Sequence, residues 1–598
     1  MRLHHLSASV LRALISTTED QHAVTTLVDT ETSRRLLMMR AIMDVAARLP
    51  EARTAEVTEA WSLLESVERV EPEVFREVLL DPQVGLWGAA LFRRLFAPAA
   101  DNEAGPDEAP LWVEFGFLGQ LAATVAVVAG VDFRIRVPVR SGAVFLPGLG
   151  QALVGDARDA WGSAEVRGDN GVVEVAGTGP LVTLPAERET DAPGWQGLRR
   201  LRAVHDGVAL SLVLDDLGPR AAVPLLTAGR LTDSQFRVWQ RHFDRMWAVL
   251  VDDHRANALA LSKGLRSIVP LPRGERLRAR AASSSDAFGC VLLSDPDPDE
   301  EVLPAQLGVA LVHEFRHTLL NGLIFLVPLF EDHDELFHAP WRDDPRPLGG
   351  LVHGAYAFSG VTHYWHTRGQ ERLAGFEFAL WRDAVREVLG TLGEHPALTD
   401  LGREVVRSLS EQSKVWEHEQ VGAREAHLAR LAAVHHHATW RAHHLYADPS
   451  YIADAARAWS DSRPAPAAPA LDPVLRTDPH ACRLDTLALL ARLSLINGQE
   501  FDDLRSLAAP ALRIPGAGAG DLALVDGDVH AAVKLYADEL AEPDPRPAAW
   551  AGLGLALTET GEEAAGAVLI EYPERVAALS RALRPAPDPV ALARWLAG

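Results

Sequence analysis

Cysteine is nearly absent from this sequence. Only Cys290 and Cys482 occur among 598 residues. Two thiols cannot build a disulfide framework, and they are too few for a zinc site made of cysteines. This usage is typical of a protein from a reducing compartment, so we expect a cytoplasmic protein.

Positive charge is scarce as well. The formal net charge is −24 at pH 7, with 82 acidic residues against 58 lysines and arginines. A nucleic-acid-binding surface requires basic patches, so we expect no nucleic-acid partner. An acidic surface is compatible with a basic or neutral peptide partner, but it also serves simply to keep a protein soluble.

No apolar run is long enough to predict a membrane-spanning helix. The longest covers residues 115–131 and contains Gln120, which leaves it below the roughly 20 residues that a bilayer requires. It predicts a buried helix instead. Near the N-terminus, Arg12 interrupts the apolar segment that a signal peptide would need. We therefore expect a soluble protein without a membrane partner, and no pattern indicates an oligomeric state.

Length and pattern divide the chain into several regions. A chain of 598 residues predicts about three or four domains. We assign residues 1–110 to an N-terminal helical region and residues 111–230 to a small antiparallel β-rich unit. Residues 231–459 form the predicted catalytic helical core, and residues 474–598 a helical, tetratricopeptide-like region. The predicted fold class is therefore α+β and mostly helical.

Local patterns support these assignments. Residues 133–140 alternate between apolar and polar side chains, which predicts a half-exposed strand. Asn170-Gly171 predicts a hairpin, because this pair tolerates the positive φ of a tight turn, and His205-Asp206-Gly207 predicts another. Small and large residues alternate in residues 547–557, as in interlocking helix pairs.

The segment that carries chemistry is His313-Glu314-Phe315-Arg316-His317. Since an α-helix has about 3.6 residues per turn, histidines four apart project from the same face, as a divalent metal requires of its first two ligands. Residues 304–311 predict a helical lead-in, and Val309 and Ala310 share the face of the histidines. We therefore expect both imidazoles to point into the protein. An exposed helix with two histidines by chance is the alternative.

A catalytic metal site needs a third protein ligand and an open position. Residues 341–358 contain a proline-rich turn and then a second helix with a stripe of small residues, which predicts close packing against the motif helix. His353 lies near this stripe and is the predicted third ligand, with a core histidine bonded to a carbonyl as the alternative. The stripe consists of Gly350, Gly354, Ala357 and Gly360, and the less favoured ligands are Glu331, Asp332, His333 and His338.

The motif and the segment after it resemble a known family. The HEFRH run at 313–317, followed by WRDDPRPLGGLVHGAYAF at 341–358, is similar to bacterial HExxH proteins encoded beside ribosomally made, post-translationally modified peptides. Residues 33–40 and 439–445 extend the resemblance, which spans roughly residues 1 to 450. Members of this family look like 2-oxoglutarate-dependent iron enzymes that β-hydroxylate residues of a precursor peptide.

The resemblance implies a metal and a cosubstrate. His313, His317 and His353 would bind Fe(II), and 2-oxoglutarate would chelate the same ion. The distal carboxylate of 2-oxoglutarate requires a bidentate guanidinium, although an ordinary ion pair is the alternative role for each candidate. The usual oxygenase pattern is two histidines and one carboxylate, so Glu314 would either bind the metal or only orient a ligand. The candidate arginines are Arg342, Arg346 and Arg441.

Two other functions fit the same motif. A zinc metallopeptidase would use Glu314 as the general base that activates water. A peptide-binding scaffold with a structural metal would instead have a closed site of four ligands.

Further histidines stand at 435–437 and 443–444. Consecutive residues on a helix point about 100° apart, so at most two of the first three histidines can share one ion. We expect surface or supporting roles for them.

Overall fold

The computed structural model describes residues 6–15, 20–96, 109–217, 229–275, 277–296, 306–368, 371–467 and 473–598. Helices predominate in these ranges and are accompanied by two larger β-sheets. This confirms the α+β, mostly helical fold class.

The first described helices lead into the first sheet. They are α1 (Ala8–Leu14), α2 (Gln21–Ala46), α3 (Pro50–Thr54), α4 (Val57–Val70), α5 (Pro72–Leu79), α6 (Pro82–Phe96) and α7 (Leu111–Ala129).

Helix α7 contains most of the apolar run that the sequence analysis singled out. By length and composition it could cross a membrane, but 72% of its most apolar window is buried inside the protein. It begins four residues before the predicted run, at Leu111, and ends where Gly130 adopts a left-handed conformation with φ of 66°. The prediction of a buried helix is confirmed.

The first sheet is antiparallel throughout and follows the order β6-β5-β4-β1-β2-β3-β7. Alternate side chains of β1 are buried in its first half, as the sequence pattern predicts. Asn170 and Gly171 both have positive φ and join β4 to β5, which confirms the predicted hairpin. The strands are β1 (Phe133–Arg140), β2 (Ala143–Leu146), β3 (Gly150–Leu153), β4 (Trp161–Asp169), β5 (Val172–Ala176), β6 (Val182–Thr183) and β7 (Trp195–Gly197).

The second sheet is mixed and follows the order β11-β12-β10-β9-β8. Asp206 and Gly207 form the predicted hairpin between β8 and β9, but β9 then pairs in parallel with β10. Residues 199–214 therefore belong to a different sheet from β1 to β7. Strand β9 meets its parallel partner β10 only after a helical crossover, as parallel pairing requires. The elements are β8 (Arg199–His205), β9 (Val208–Leu214), α8 (Asp233–Asp253), α9 (Arg255–Gly264), β10 (Ser267–Leu271), β11 (Ala281–Ser283) and β12 (Cys290–Ser294).

The next region contains the HExxH segment. Its motif helix begins at Gln306, and residues 304 and 305 of the predicted lead-in lie outside the described residues. The elements are α10 (Gln306–Ile324), β13 (Leu336–Phe337), β14 (Arg346–Pro347), α11 (Leu348–Thr367), α12 (Arg372–Gly393), α13 (Asp400–Lys414), α14 (Ala423–His444), β15 (Leu445–Tyr446) and α15 (Pro449–Ser460).

The C-terminal region is helical after one short strand. Consecutive helices α18 to α21 pack against one another, and α20 and α22 also pack against α14. The elements are β16 (Val474–Leu475), α16 (Thr486–Ile496), α17 (Gly498–Arg505), α18 (Ala519–Asp526), α19 (Val529–Leu540), α20 (Pro547–Glu559), α21 (Glu563–Glu571), α22 (Pro573–Ala582) and α23 (Pro589–Ala597).

In the described residues, three large hydrophobic cores and one small cluster on β10 and β12 hold these elements together. One joins the N-terminal helices to α7 and the first sheet, so residues on both sides of position 110 share a core. A second joins the second sheet to α8, α10, α11 and α13. The third joins α12 and α14 to the C-terminal helices, which ties residues 474–598 to the region that carries the motif.

Candidate metal centre

Helix α10 brings the two motif histidines together. Their Nε2 atoms are 3.1 Å apart, and the two rings are nearly perpendicular, at 82°. Two nitrogens bound to one ion at about 2.1 Å and a tetrahedral angle lie roughly 3.4 Å apart. The pair formed by His313 and His317 therefore has the spacing of two ligands of one metal ion.

The charge state of the pair also suits a metal. Burial lowers the pKa of His313 to about 4. Burial, followed by the proximity of His313 and His353, holds the pKa of His317 well below its usual value. Both imidazoles are therefore neutral at pH 7, and each has a nitrogen lone pair to offer.

His353 on α11 stands beside this pair. Its ring centre is 5.7 Å from that of His317, and the two rings are inclined by 34°. Within the described ranges no hydrogen bond joins its ring to a carbonyl, which was the alternative role. The three histidines are more loosely spaced than two other groups, described below, whose ligand atoms all lie within 4.8 Å of one another. The motif histidines are thus close enough to share an ion, whereas His353 lies farther from the pair.

Glu314 lies between the second sheet and the histidine pair. Its Oε2 accepts a hydrogen bond of 2.7 Å from Ser283 Oγ, at the end of β11. Its Oε1 is 4.0 Å from His313 Nε2. Burial raises the pKa of Glu314 to about 7, so this side chain exchanges a proton near neutral pH.

The predicted stripe of small residues on α11 meets several neighbours. A Cβ at Gly360 would overlap the buried side chain of Arg316 from α10, whose Nε donates a 2.9 Å hydrogen bond to Tyr356 O. Gly354 instead faces the ring of Trp341, and Gly350 faces Arg346. Close approach of the two helices therefore depends on the Gly360 end of the stripe.

A cavity of about 940 Å³ opens in front of the motif helix. Val309, Ala310, His313 and Glu314 line it, so this part of the motif helix forms a wall of the cleft, whereas His317 and His353 are not among the lining residues. Its aromatic wall contains Trp341, Phe358 and Trp381, with ring centres 4.6 and 4.5 Å apart in succession. Phe358 also contacts the His313 ring edge to face, at 4.8 Å.

The predicted arginines fall in two places. Arg342 lines the cleft and donates from Nε to Asp344 at 2.9 Å, while Arg346 donates to the same carboxylate at 3.0 Å. The charge of Arg346 also contributes, after burial, to lowering the pKa of His353. Arg441 pairs with Glu574 of α22 at 2.8 Å and does not line the cleft.

Sequence reasoning missed Arg280. This exposed residue lines the cleft just before β11, and no described carboxylate lies within ion-pair distance of its guanidinium. The other cleft arginines outside the motif region are paired, for example Arg492 with Glu377 and Arg483 with Glu275. Arg280 carries no local sequence signal, because only the fold shows that no described carboxylate lies within ion-pair distance of it.

The late histidines are more buried than the sequence suggested. His435 is 2% exposed and lies 4.0 Å from Asp521, while His436 is also buried and turns to His338. His444 is enclosed between Asp343 O and the backbone N–H of Asp478. A surface role is therefore wrong for these three, because α14 packs against the C-terminal helices on one side and against the cleft on the other.

Two of the less favoured third ligands belong to groups of their own. His338 lies in the cleft beside Glu387 and His437, and His333 lies on the surface beside Glu335 and His395.

No protein-family model matches this chain, and none of the curated proteins is similar to it at a significant level. The family resemblance therefore rests on the motif residues themselves. Three neutral imidazoles, one of which lines the cleft, fit either Fe(II) or Zn²⁺.

Proposed function

We propose that the protein is an Fe(II)- and 2-oxoglutarate-dependent dioxygenase that β-hydroxylates side chains of a ribosomally made precursor peptide in the cytoplasm. The observation that carries this proposal is the histidine pair with 3.1 Å between Nε2 atoms, placed beside His353, with His313 lining a large cleft. A catalytic metal requires this combination of few protein ligands and free access.

His313, His317 and His353 would hold the metal. The chemistry that Fe(II) supplies when bound is the use of O₂ and 2-oxoglutarate to place one oxygen atom in a C–H bond and the other in succinate, with release of CO₂. The protein supplies three neutral donors and an aromatic wall that excludes water from the reacting carbon.

The distal carboxylate of 2-oxoglutarate needs a guanidinium. Arg280 is the best placed, since it faces the cleft without a described carboxylate partner. Arg342 and Arg346 remain candidates, although both must share or release Asp344. Arg441 would have to leave the buried carboxylate of Glu574, which is costly for an ion pair with little solvent access.

A peptide has a place to bind beside the metal. β11 is an edge strand of the second sheet, and Ala281 at its start lines the cleft. An exposed edge offers backbone N–H and C=O groups to an extended chain. The cleft volume of about 940 Å³ is at the upper end for small-molecule pockets, so there is room for a peptide segment as well as a cosubstrate.

Glu314 gives the zinc peptidase alternative its support. Its carboxylate has a pKa raised to about 7 and lies 4.0 Å from His313 Nε2, as a general base for a metal-bound water would. In a hydroxylase the same group would hold or transfer a proton beside the metal ligands.

The test is a comparison of two loaded forms of the whole protein. Protein purified without oxygen and loaded with Fe(II) is given 2-oxoglutarate and O₂, with and without a pool of short basic peptides, and succinate is measured by mass spectrometry. We expect succinate that depends on Fe(II) and O₂ and a peptide mass increased by one oxygen. Protein loaded with Zn²⁺ that cleaves peptides without 2-oxoglutarate would overturn the proposal in favour of the peptidase.

The cosubstrate site is tested separately. Arg280→Ala should raise the KM for 2-oxoglutarate by at least about tenfold, because a charge-assisted contact contributes 1.5–3 kcal/mol in typical cases. Arg237→Ala, an exposed arginine on α8 outside the cleft, is the matched control and should leave KM unchanged. An unchanged KM in the Arg280 variant would reassign the role to Arg342 or Arg346.

A further inference from the structure

Side chains from three separate elements meet at another wall of the cleft. His338 follows β13, Glu387 belongs to α12 and His437 belongs to α14. Each offers one ligand atom, and these atoms all lie within 4.8 Å of one another. His338 Nδ1 is 3.3 Å from Glu387 Oε1, which is close to the roughly 3.0–3.5 Å between two donors bound to one zinc-sized ion.

Neighbouring groups hold this trio in place. His338 Nε2 is 3.2 Å from Nδ1 of the buried His436, so His338 is fixed through one nitrogen and presents the other to Glu387. The ring of His437 stacks on that of His338, with centres 4.4 Å apart and an angle of 13° between the planes, so one of the two rings must turn before both can bind the same ion. Trp440 covers His338 from the side, at 5.1 Å. A contact that orients a metal-binding imidazole is typical of metal sites.

Hydrogen bonding alone does not account for the whole group. A chain from His436 through His338 to Glu387 would satisfy those three side chains. It leaves out His437, whose ring has no hydrogen bond within the part of the chain that the structure describes. A cation between Glu387, His338 and His437 would engage all three.

We propose that His338, Glu387 and His437 bind a divalent transition-metal ion, as a second metal site in the cleft. Two imidazoles and one carboxylate with open positions suit Fe(II), and Zn²⁺ accepts the same donors. His338 and Glu387 line the cleft that His313 also lines, so the open positions would face this shared space. The proposal uses none of the residues assigned to the first centre, so the two stand or fall separately.

Such an ion would also stabilise the fold. It would join the segment after β13 to α12 and α14. Residues of α12 belong to two of the hydrophobic cores, whereas the core residues of α14 belong to one of them. Because an ion that binds only the folded state stabilises it by mass action, bound metal should raise the melting temperature.

The experiment counts Zn²⁺ ions on metal-free whole protein by equilibrium titration against a chromophoric chelator. Every protein carries His333→Ala and Glu335→Gln, so that the group of His333, Glu335 and His395 keeps only one of its three donors. The test variants are Glu387→Gln and His437→Ala, and a separate His313→Ala/His317→Ala variant removes the first site. Asp383→Asn, one turn before Glu387 on the cleft wall, is the matched control, as is His427→Ala on the exposed part of α14.

We expect two ions on the parent and one on each test variant, with affinity at the lost site reduced by at least about 100-fold, since even changes around a metal site cost 10- to 100-fold. The motif variant should keep the ion at the new site, and its thermal shift with Zn²⁺ should vanish only when Glu387→Gln is added. Glu387→Gln keeps a hydrogen-bond acceptor for His338, and His437 is exposed, so both variants should fold.

A parent that binds a single ion, lost with the motif histidines, would overturn this proposal and leave the first centre intact. Retention of the second ion in both test variants would overturn it equally. A parent that binds a single ion and keeps it in the motif variant would count against the first centre and not against this one.

Discussion

Helices α10 and α14 both carry several histidines, but they use them in opposite ways. On α10 the two histidines are four residues apart, and their Nε2 atoms converge to 3.1 Å. On α14 three consecutive histidines diverge to Asp521, to His338 and to the group around Glu387. The helical period therefore allows the first pair to share an ion and prevents all three histidines of the second run from doing so.

Convergence on α14 comes from other parts of the chain instead. His338 lies 98 residues before His436, and Glu387 lies 49 residues after His338. These separations carry no local pattern, so the group exists only because α12 and α14 pack together. In this protein, histidines four residues apart on one helix form a local cluster, whereas consecutive histidines join groups from distant parts of the chain.

The largest expected effect is at the α10 pair. His317→Ala removes one of two adjacent donors, so bound iron should fall and succinate formation should drop to background. Metal analysis and succinate measurement on the same preparation check this. A variant that keeps both iron and turnover would remove the motif from the mechanism.

A smaller effect is expected at Glu314, which contacts Ser283 and lies 4.0 Å from His313 Nε2. Glu314→Gln should keep the iron and lower succinate formation by about 10- to 100-fold, as changes beside metal ligands do. Iron content and initial rate, measured together, separate the possible roles. Loss of iron would make Glu314 a direct ligand, contrary to the three-histidine set.

On α14 the expected effect is on stability and not on chemistry. His444 accepts from the backbone N–H of Asp478 at 3.0 Å and donates to Asp343 O at 2.8 Å. His444→Ala leaves two partly buried backbone groups without this partner, so the free energy of unfolding should fall by about 1–3 kcal/mol. Urea unfolding measures it, and the iron content should stay unchanged. A fall in iron with no loss of stability would mean that α14 histidines act in the first centre.

The smallest effect is expected at His427, near the start of α14. His427→Ala should change the free energy of unfolding by less than about 0.5 kcal/mol, because this half-exposed side chain makes only long polar contacts, to Glu559 at 3.9 Å and Arg430 at 3.4 Å. The same urea titration measures it, with wild type as reference. A clear destabilisation would show that this face of α14 is covered in solution.

Part of the fold could be predicted from local pattern. The buried helix around Gln120, the hairpin at Asn170-Gly171 and the alternating strand at 133–140 all follow from periods of two or 3.6 residues and from turn chemistry. The pairing of β9 with β10 could not, since a parallel partner across two helices depends on long-range contacts.

The site divides in the same way. The sequence identified His313 and His317 by spacing, and His353 was placed near them by the helix after the proline-rich turn. It offered Arg342, Arg346 and Arg441 on equal terms, whereas the fold ties Arg441 to Glu574 and brings Arg280 into the cleft. An arginine's role depends on which acidic groups surround it, and those groups come from distant segments.

The sequence by itself determined the convergence of the two motif histidines, because one helical turn fixes the direction of side chains four residues apart. The tertiary structure alone decided which further groups face the cleft, including Arg280, His338 and Glu387. Their proximity depends on how sheets and helices pack, and packing joins residues whose positions along the chain are unrelated.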